Sequence, residues 1–131
     1  MTKAIKFTIH GAPITKKNSQ RIIRTACGRP MIVPSAKFKE YEREALYQIP
    51  ARYKGKKLDG QYNLRVAYYM PTRRRVDLVN LLEATCDILT VAEVIEDDHS
   101  GIIVAHDGCR VYHDKEDPRA EITLEEIEGD A

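Results

Sequence analysis

Three aspartates stand at the edges of segments that the sequence makes regular. Asp77 opens an apolar-periodic run directly behind a block of three arginines, Arg73 to Arg75, and Asp97 and Asp98 lie in a short connection before the next apolar run. Carboxylates converging at element ends and loops suit hard cations such as Mg²⁺, which prefer oxygen ligands and keep several waters. In phosphodiester cleavage such an ion activates a water and offsets charge on the scissile phosphate. Glu83 and Asp87 follow one helical turn apart, a like-charge spacing that costs about 0.2 to 0.5 kcal/mol unless a cation compensates. Each group also has an ordinary use. Asp is a favoured helix N-cap, acidic pairs are common in turns, and an acidic stripe is often only a wet helix face.

Cations flank these acids. Arg73, Arg74 and Arg75 suit phosphate, because the planar guanidinium donates bidentate hydrogen bonds; the other use open to them is internal pairing with Glu83 and Asp87. Lys16, Lys17 and Asn18, with Arg21 and Arg24 behind them, form a second patch suited to a nucleic-acid backbone. The histidines are less informative. His99, His106 and His113, even with Cys109, match no zinc-ligand spacing. No Ser, Cys and His arrangement for a covalent nucleophile is visible either.

The elements that must hold these residues follow from periodicity. Ile5, Phe7 and Ile9 alternate with polar residues as in a half-buried strand, and "RIIRTACGRPMIVP" reads as a hairpin turning at Gly28 to Pro30. Ser35 is a good N-cap for a helix carrying Phe38, Tyr41, Ala45, Leu46 and Ile49, which Pro50 ends. "ARYKGKKLDG" is a basic loop. Tyr62, Leu64, Val66, Tyr68 and Met70 give the clearest strand, closed by Pro71. A helix over Asp77 to Thr90 has Leu78, Leu81, Leu82, Thr85 and Leu89 on one side, and Asp77, Asn80, Glu83 or Ala84, and Asp87 on the other. Asp107 and Gly108 predict a hairpin, and a last strand runs from about Ala120 to Ile127. Strands outnumber helices and do not strictly alternate with them, which predicts an α+β fold with a mixed or antiparallel sheet packed by two main helices.

Composition narrows the class. The 131 residues, 43% hydrophobic, are one domain's worth of material, read as a single domain over 1–131. No run approaches the roughly 18 to 20 apolar residues of a membrane span, and Met1 to Pro13 has no signal-peptide pattern, so a cytoplasmic protein with no membrane partner is expected. Cys27, Cys86 and Cys109 are an odd number without C-x-x-C spacing and are expected to be reduced thiols, buried or incidental. The net charge of +1 hides a strong asymmetry. Residues 1–60 hold 14 Lys and Arg against 4 Asp and Glu, whereas residues 61–131 hold 7 against 16. A basic half suits a polyanion, and an acidic half is repelled by one unless it holds metal ions. The plainer account is that the two halves attract each other within the fold.

"YYMPTRRRVDLVNLLEATCDIL…EVIEDDHSGI" resembles the core of the RusA-type Holliday junction resolvases, small phage and prophage endonucleases. Their signature is a methionine-proline and basic run, then D-x-D-N-L, a helix, and D-D before a strand. "GAPITKKNSQRI" and "DPRAEITLEEI" resemble the family's opening loop and closing strand, so the likeness covers nearly the whole chain. The resemblance implies a RusA-like homodimer that cuts four-way junction DNA symmetrically in recombination and repair. It implies Mg²⁺ as cofactor, with Mn²⁺ as substitute and no organic cofactor, and products with a 5′-phosphate and a 3′-hydroxyl. By position, Asp77 matches the first motif aspartate and Asp98 the second of the D-D pair, which implies metal ligands; Asp97 is a neighbouring ligand or support. The chain departs from the pattern twice. Val79 stands where D-x-D-N has its second aspartate, and Glu83 stands where the family often has a lysine. Glu83 is therefore expected to replace the lost ligand, aided by Asp87.

Two other readings compete. Loss of the ligand at Val79 would leave a junction-binding relative without catalysis. A non-catalytic DNA-binding protein is the other, but the basic patch has no aromatic between Lys16 and Arg29 for stacking on single strands.

Overall fold

Among the described residues nine elements carry out this pattern. They are β1 (Ala4–His10), β2 (Gln20–Arg24), β3 (Pro30–Pro34), α1 (Ala36–Gln48), β4 (Tyr62–Met70), α2 (Leu78–Val91), β5 (Ile103–Ala105), β6 (Arg110–His113) and β7 (Arg119–Glu126). The computed structural model describes residues 4–16, 20–34 and 36–127, with the backbone alone at 20–23 and 31–34. The expected Ser35 cap, Lys17 and Asn18 lie outside the described residues, as does the side chain of Arg21.

β4 is central because it can pair on both edges. β7 lies antiparallel on one side, with Tyr62 opposite Glu126 and Tyr69 opposite Arg119, and β1 extends the sheet beyond β7. On the other edge β5 and then β6 run parallel to β4, giving a mixed sheet in the order β1-β7-β4-β5 with β6 also on β4. β2 and β3 form a separate antiparallel hairpin, turned through Gly28 at φ +81°. The expected α+β architecture with two helices therefore stands. The Gln48 side chain of α1 brackets His10, accepting from its N–H at 2.6 Å and donating to its carbonyl at 2.9 Å. Part of the exposed edge at β1 is thereby covered.

Alternation decides which face is covered. Tyr62, Leu64, Val66 and Tyr68 of β4 pack with Phe7 and Ile9 of β1, Ala120, Ile122 and Leu124 of β7, and Leu81, Leu82, Cys86, Ile88 and Leu89 of α2. The Tyr68 hydroxyl meets Thr85 Oγ1 at 2.6 Å, and Thr85 donates to the Leu81 carbonyl at 3.0 Å, so this buried polar pair is satisfied. Ala84, assigned above to the polar stripe as an alternative to Glu83, is 2% exposed and belongs to the core. Its small side chain fits the margin between α2 and its neighbours, and Glu83 takes the solvent side.

The hairpin expected at Asp107 and Gly108 does not form. β5 and β6 both pair with β4, as two segments of one interrupted edge strand. The reason lies in the side chains across the break. Asn63 accepts from the Asp107 N–H at 2.7 Å and donates to the Asp107 carbonyl at 3.1 Å, while the Cys109 thiol donates to the Leu64 carbonyl and accepts from the Val66 N–H. These contacts replace ladder bonds while the chain turns out at Gly108, φ +86°. β6 is further held by a stack in which Arg119 lies 3.8 Å from the Tyr69 ring and Tyr69 lies 4.9 Å from Tyr112.

Candidate active site

α2 and the connection after it position the acids. Asp77 caps α2 in extended conformation, φ −84° and ψ 115°, and its Oδ1 accepts from the Val79 N–H at 2.9 Å. The capping use is therefore real, but it engages one carboxylate oxygen only. Val79 is 68% exposed, so its isopropyl group occupies a solvent-facing first-turn position and carries no packing role that would explain it. Glu83 and Asp87 follow on the polar side, Glu83 exposed and Asp87 half-buried.

After α2 the chain doubles back. Val94 N–H bonds to the Leu89 carbonyl, and Leu58 pairs in parallel with Ile95, which brings Asp97 and Asp98 alongside the helix. The Asp98 N–H donates to Asp97 Oδ1 at 2.8 Å. Although Asp98 is exposed as a residue, the atoms around its carboxyl raise its pKa, first by desolvation, then through the side-chain bond and charge of Asp97 and the charge of Asp87. Cys86 senses the same group. Burial pushes its thiol up to about 12, with Asp98, Asp87 and Glu83 contributing. The fold thus gathers Asp98, Asp97, Asp87 and Glu83 around one stretch of α2. Asp77 stands at the helix head, about 9 Å of helix rise from Glu83 and about 15 Å from Asp87.

Sequence reasoning treated Asp87 as an auxiliary and missed its partner. Lys16 Nζ lies 3.2 Å from Asp87 Oδ2, joining the loop after β1 to the acidic side of α2. The two side chains are 40% and 34% exposed, so the pair contributes about 0.2 to 1 kcal/mol at most. Separated by 71 positions, they leave no local signal in the sequence. Arg73, Arg74 and Arg75 are exposed, and none forms an ion pair with a described residue; internal pairing with Glu83 or Asp87 is thereby set aside. Arg24 is exposed at the end of β2.

Among the described residues no three His, Cys, Asp or Glu side chains are arranged to hold a metal ion. Mg²⁺ requires less, since one or two carboxylates commonly hold it while waters and substrate phosphates complete an octahedron. The donor chemistry fits that use. Desolvation and two neighbouring carboxylates disfavour the ionised form of Asp98, and a cation reverses that balance. Arg73, Arg74 and Arg75, without an ion pair among the described residues, precede the Asp77 cap and can contact the phosphate of a bound strand.

Comparison with known proteins bears on this arrangement. The family described as Endodeoxyribonuclease RusA matches residues 10–125. The Crossover junction endodeoxyribonuclease RusA of Aquifex aeolicus (strain VF5) is 26% identical over 95 residues, 72% of this chain and 72% of that protein.

Proposed function

The chain belongs to the RusA endodeoxyribonuclease family and is a nuclease of the junction-resolving class, and on that premise we propose that it cuts four-way DNA junctions by Mg²⁺-dependent phosphodiester hydrolysis in recombination and repair. What supports the metal dependence is the placement of Asp98 directly against Asp97, whose Oδ1 accepts its N–H at 2.8 Å, where crowding by acids raises the Asp98 carboxyl pKa. Mg²⁺, or Mn²⁺ in its place, would be held by one or two of these carboxylates, Asp98 with Glu83 or Asp77, with waters and substrate phosphate completing its shell, and would supply charge neutralisation and activation of the attacking water. Asp97 orients the Asp98 backbone through its 2.8 Å bond. Arg73, Arg74 and Arg75 bind the phosphates flanking the scissile one, and Lys17, Asn18, Arg21 and Arg24 extend that contact along the backbone. Lys16 offsets the charge of Asp87, so the acidic stripe repels the incoming phosphate less.

A homodimer would present two such sites to a substrate that is itself two-fold symmetric. The test is incubation with a labelled four-way junction. Cleavage is expected in Mg²⁺, absent in EDTA and restored by added Mn²⁺, with linear duplex a poor substrate. Junction binding without cleavage in either metal would overturn the reading.

Glu83 is the residue proposed to make good the ligand missing at Val79. Glu83→Gln is expected to lower the Mg²⁺-dependent rate at least about tenfold, the equivalent of roughly 1.4 kcal/mol. Full activity in the variant, measured over a Mg²⁺ titration, would remove Glu83 from the site. The solvent-facing Val79 favours a second reading, a relative that binds junctions without cutting them. In that case Val79→Asp, placed two residues from Asp77, is expected to confer cleavage.

A further inference from the structure

A second basic surface lies in the loop "ARYKGKK" and on α1. Arg52, Lys54, Lys56 and Lys57 are exposed within seven residues that hold no acid. On α1 the four-residue spacing of Lys39, Arg43 and Tyr47 puts them in one stripe, all exposed. Tyr47 is 79% exposed, and a groove of about 250 Å³ is lined by Arg43, Leu46, Tyr47 and Lys54. Glu40, Glu42 and Glu44 share the helix, yet Lys39, Arg43, Lys54 and Lys56 form no ion pair with any described residue.

The surface is built rather than loose. Gly55, Lys57 and Leu58 donate backbone hydrogen bonds to Ala92, Glu93 and Val94, directly after α2. Tyr53 packs against Phe7 of the core at 6.0 Å between ring centroids, with the Arg52 guanidinium 4.6 Å from the Tyr53 ring. Lys57 and Glu93 are both non-glycine residues in the left-handed region, at φ 48° and 58°, and their side chains pair at 3.3 Å. Such residues persist where the surroundings over-determine them.

Resting on the reading that DNA is the substrate, we infer that this surface binds the phosphate backbone of a duplex arm as it leaves the catalytic site. The chemistry is that of a polyanion track. Unpaired cations neutralise phosphates with release of counterions, and an exposed tyrosine among them packs against sugar or an unstacked base. The placement agrees, since the loop is fastened to Ala92, Glu93 and Val94 on the stretch that leads from α2 to Asp97 and Asp98, beside the acids assigned to the cut.

The test compares two variants with the same net charge. Arg43→Gln with Lys54→Gln removes two cations from the surface; Lys6→Gln with Lys115→Gln removes two exposed cations elsewhere. Binding of a fluorescent junction and of a linear duplex is measured from 50 to 300 mM salt. The first variant is expected to lower the slope of log affinity against log salt by about 2 and to weaken binding about tenfold or more at the lowest salt, with the second unchanged. Equal slopes for wild type and the first variant, or equal losses in both variants, would overturn the inference. So would a first variant that keeps its slope but changes its sedimentation, since the face would then join two copies of the chain. A wild-type protein that binds junctions but fails to cut them defeats the proposed function alone, because the salt comparison still decides the surface.

Discussion

Asp98→Asn is expected to reduce junction cleavage by about a thousandfold, some 4 kcal/mol of barrier, while leaving junction binding intact or tighter. The amide has the shape of the carboxyl, so any loss reports charge. Asp98 is the acid that the fold surrounds with other acids, and it therefore gains most from a bound cation. Binding is expected to hold because the substitution removes a negative charge facing a polyanion. Stability separates this outcome from simple damage. The raised carboxyl pKa means that ionised Asp98 costs the folded state more than the unfolded one, a penalty that appears as pH rises through the unfolded value, about 4, and persists above it. The asparagine variant should therefore melt at or above the wild-type temperature at neutral pH, with the difference vanishing below roughly pH 4. A variant that retains cleavage within tenfold would remove Asp98 from the chemistry.

The second large effect concerns the scaffold. Leu89 is fully buried under the sheet, near where the chain turns back toward Asp97 and Asp98. Leu89→Ala is expected to cost about 2 to 5 kcal/mol, part lost transfer energy and part unfilled cavity. Against a typical total of about 5 to 15 kcal/mol, that corresponds to a fall in Tm on the order of 10 °C. Val79→Ala, on the same helix but mostly exposed, should stay within about 0.5 kcal/mol. Thermal and urea melts of the pair measure the contrast. A Leu89 variant as stable as the Val79 variant would mean that α2 is not clamped to the sheet and that Asp98 is not held where the account needs it.

Legibility in the sequence followed the range of the interactions involved. β1, β4, β7 and both helices follow from the period of their apolar residues, because one buried face writes a local pattern. The edge strand did not. An Asp-Gly pair between two apolar runs signals a turn but does not say what the runs pair with, and the answer lay in Asn63 and Cys109 bridging to the free edge of β4. Ala84 was ambiguous because it sits at the margin of the helix face, where the wheel alone does not divide core from solvent.

The site divides the same way. Asp97 and Asp98 stood out through motif and position, and the cap at Asp77 through local chemistry. The Lys16–Asp87 contact depends on a loop and a helix meeting across the fold. The aspartate that crowds Asp98 was thus recognisable as acidic but not as its neighbour.

The most direct measurement maps the cuts on each strand of a four-way junction, labelled one strand at a time and incubated with the wild-type protein and Mg²⁺. The account predicts paired incisions at symmetry-related positions in two opposing strands, each leaving a 5′-phosphate and a 3′-hydroxyl that ligase can seal. Intact strands on a bound junction, in Mg²⁺ and in Mn²⁺ alike, would contradict it.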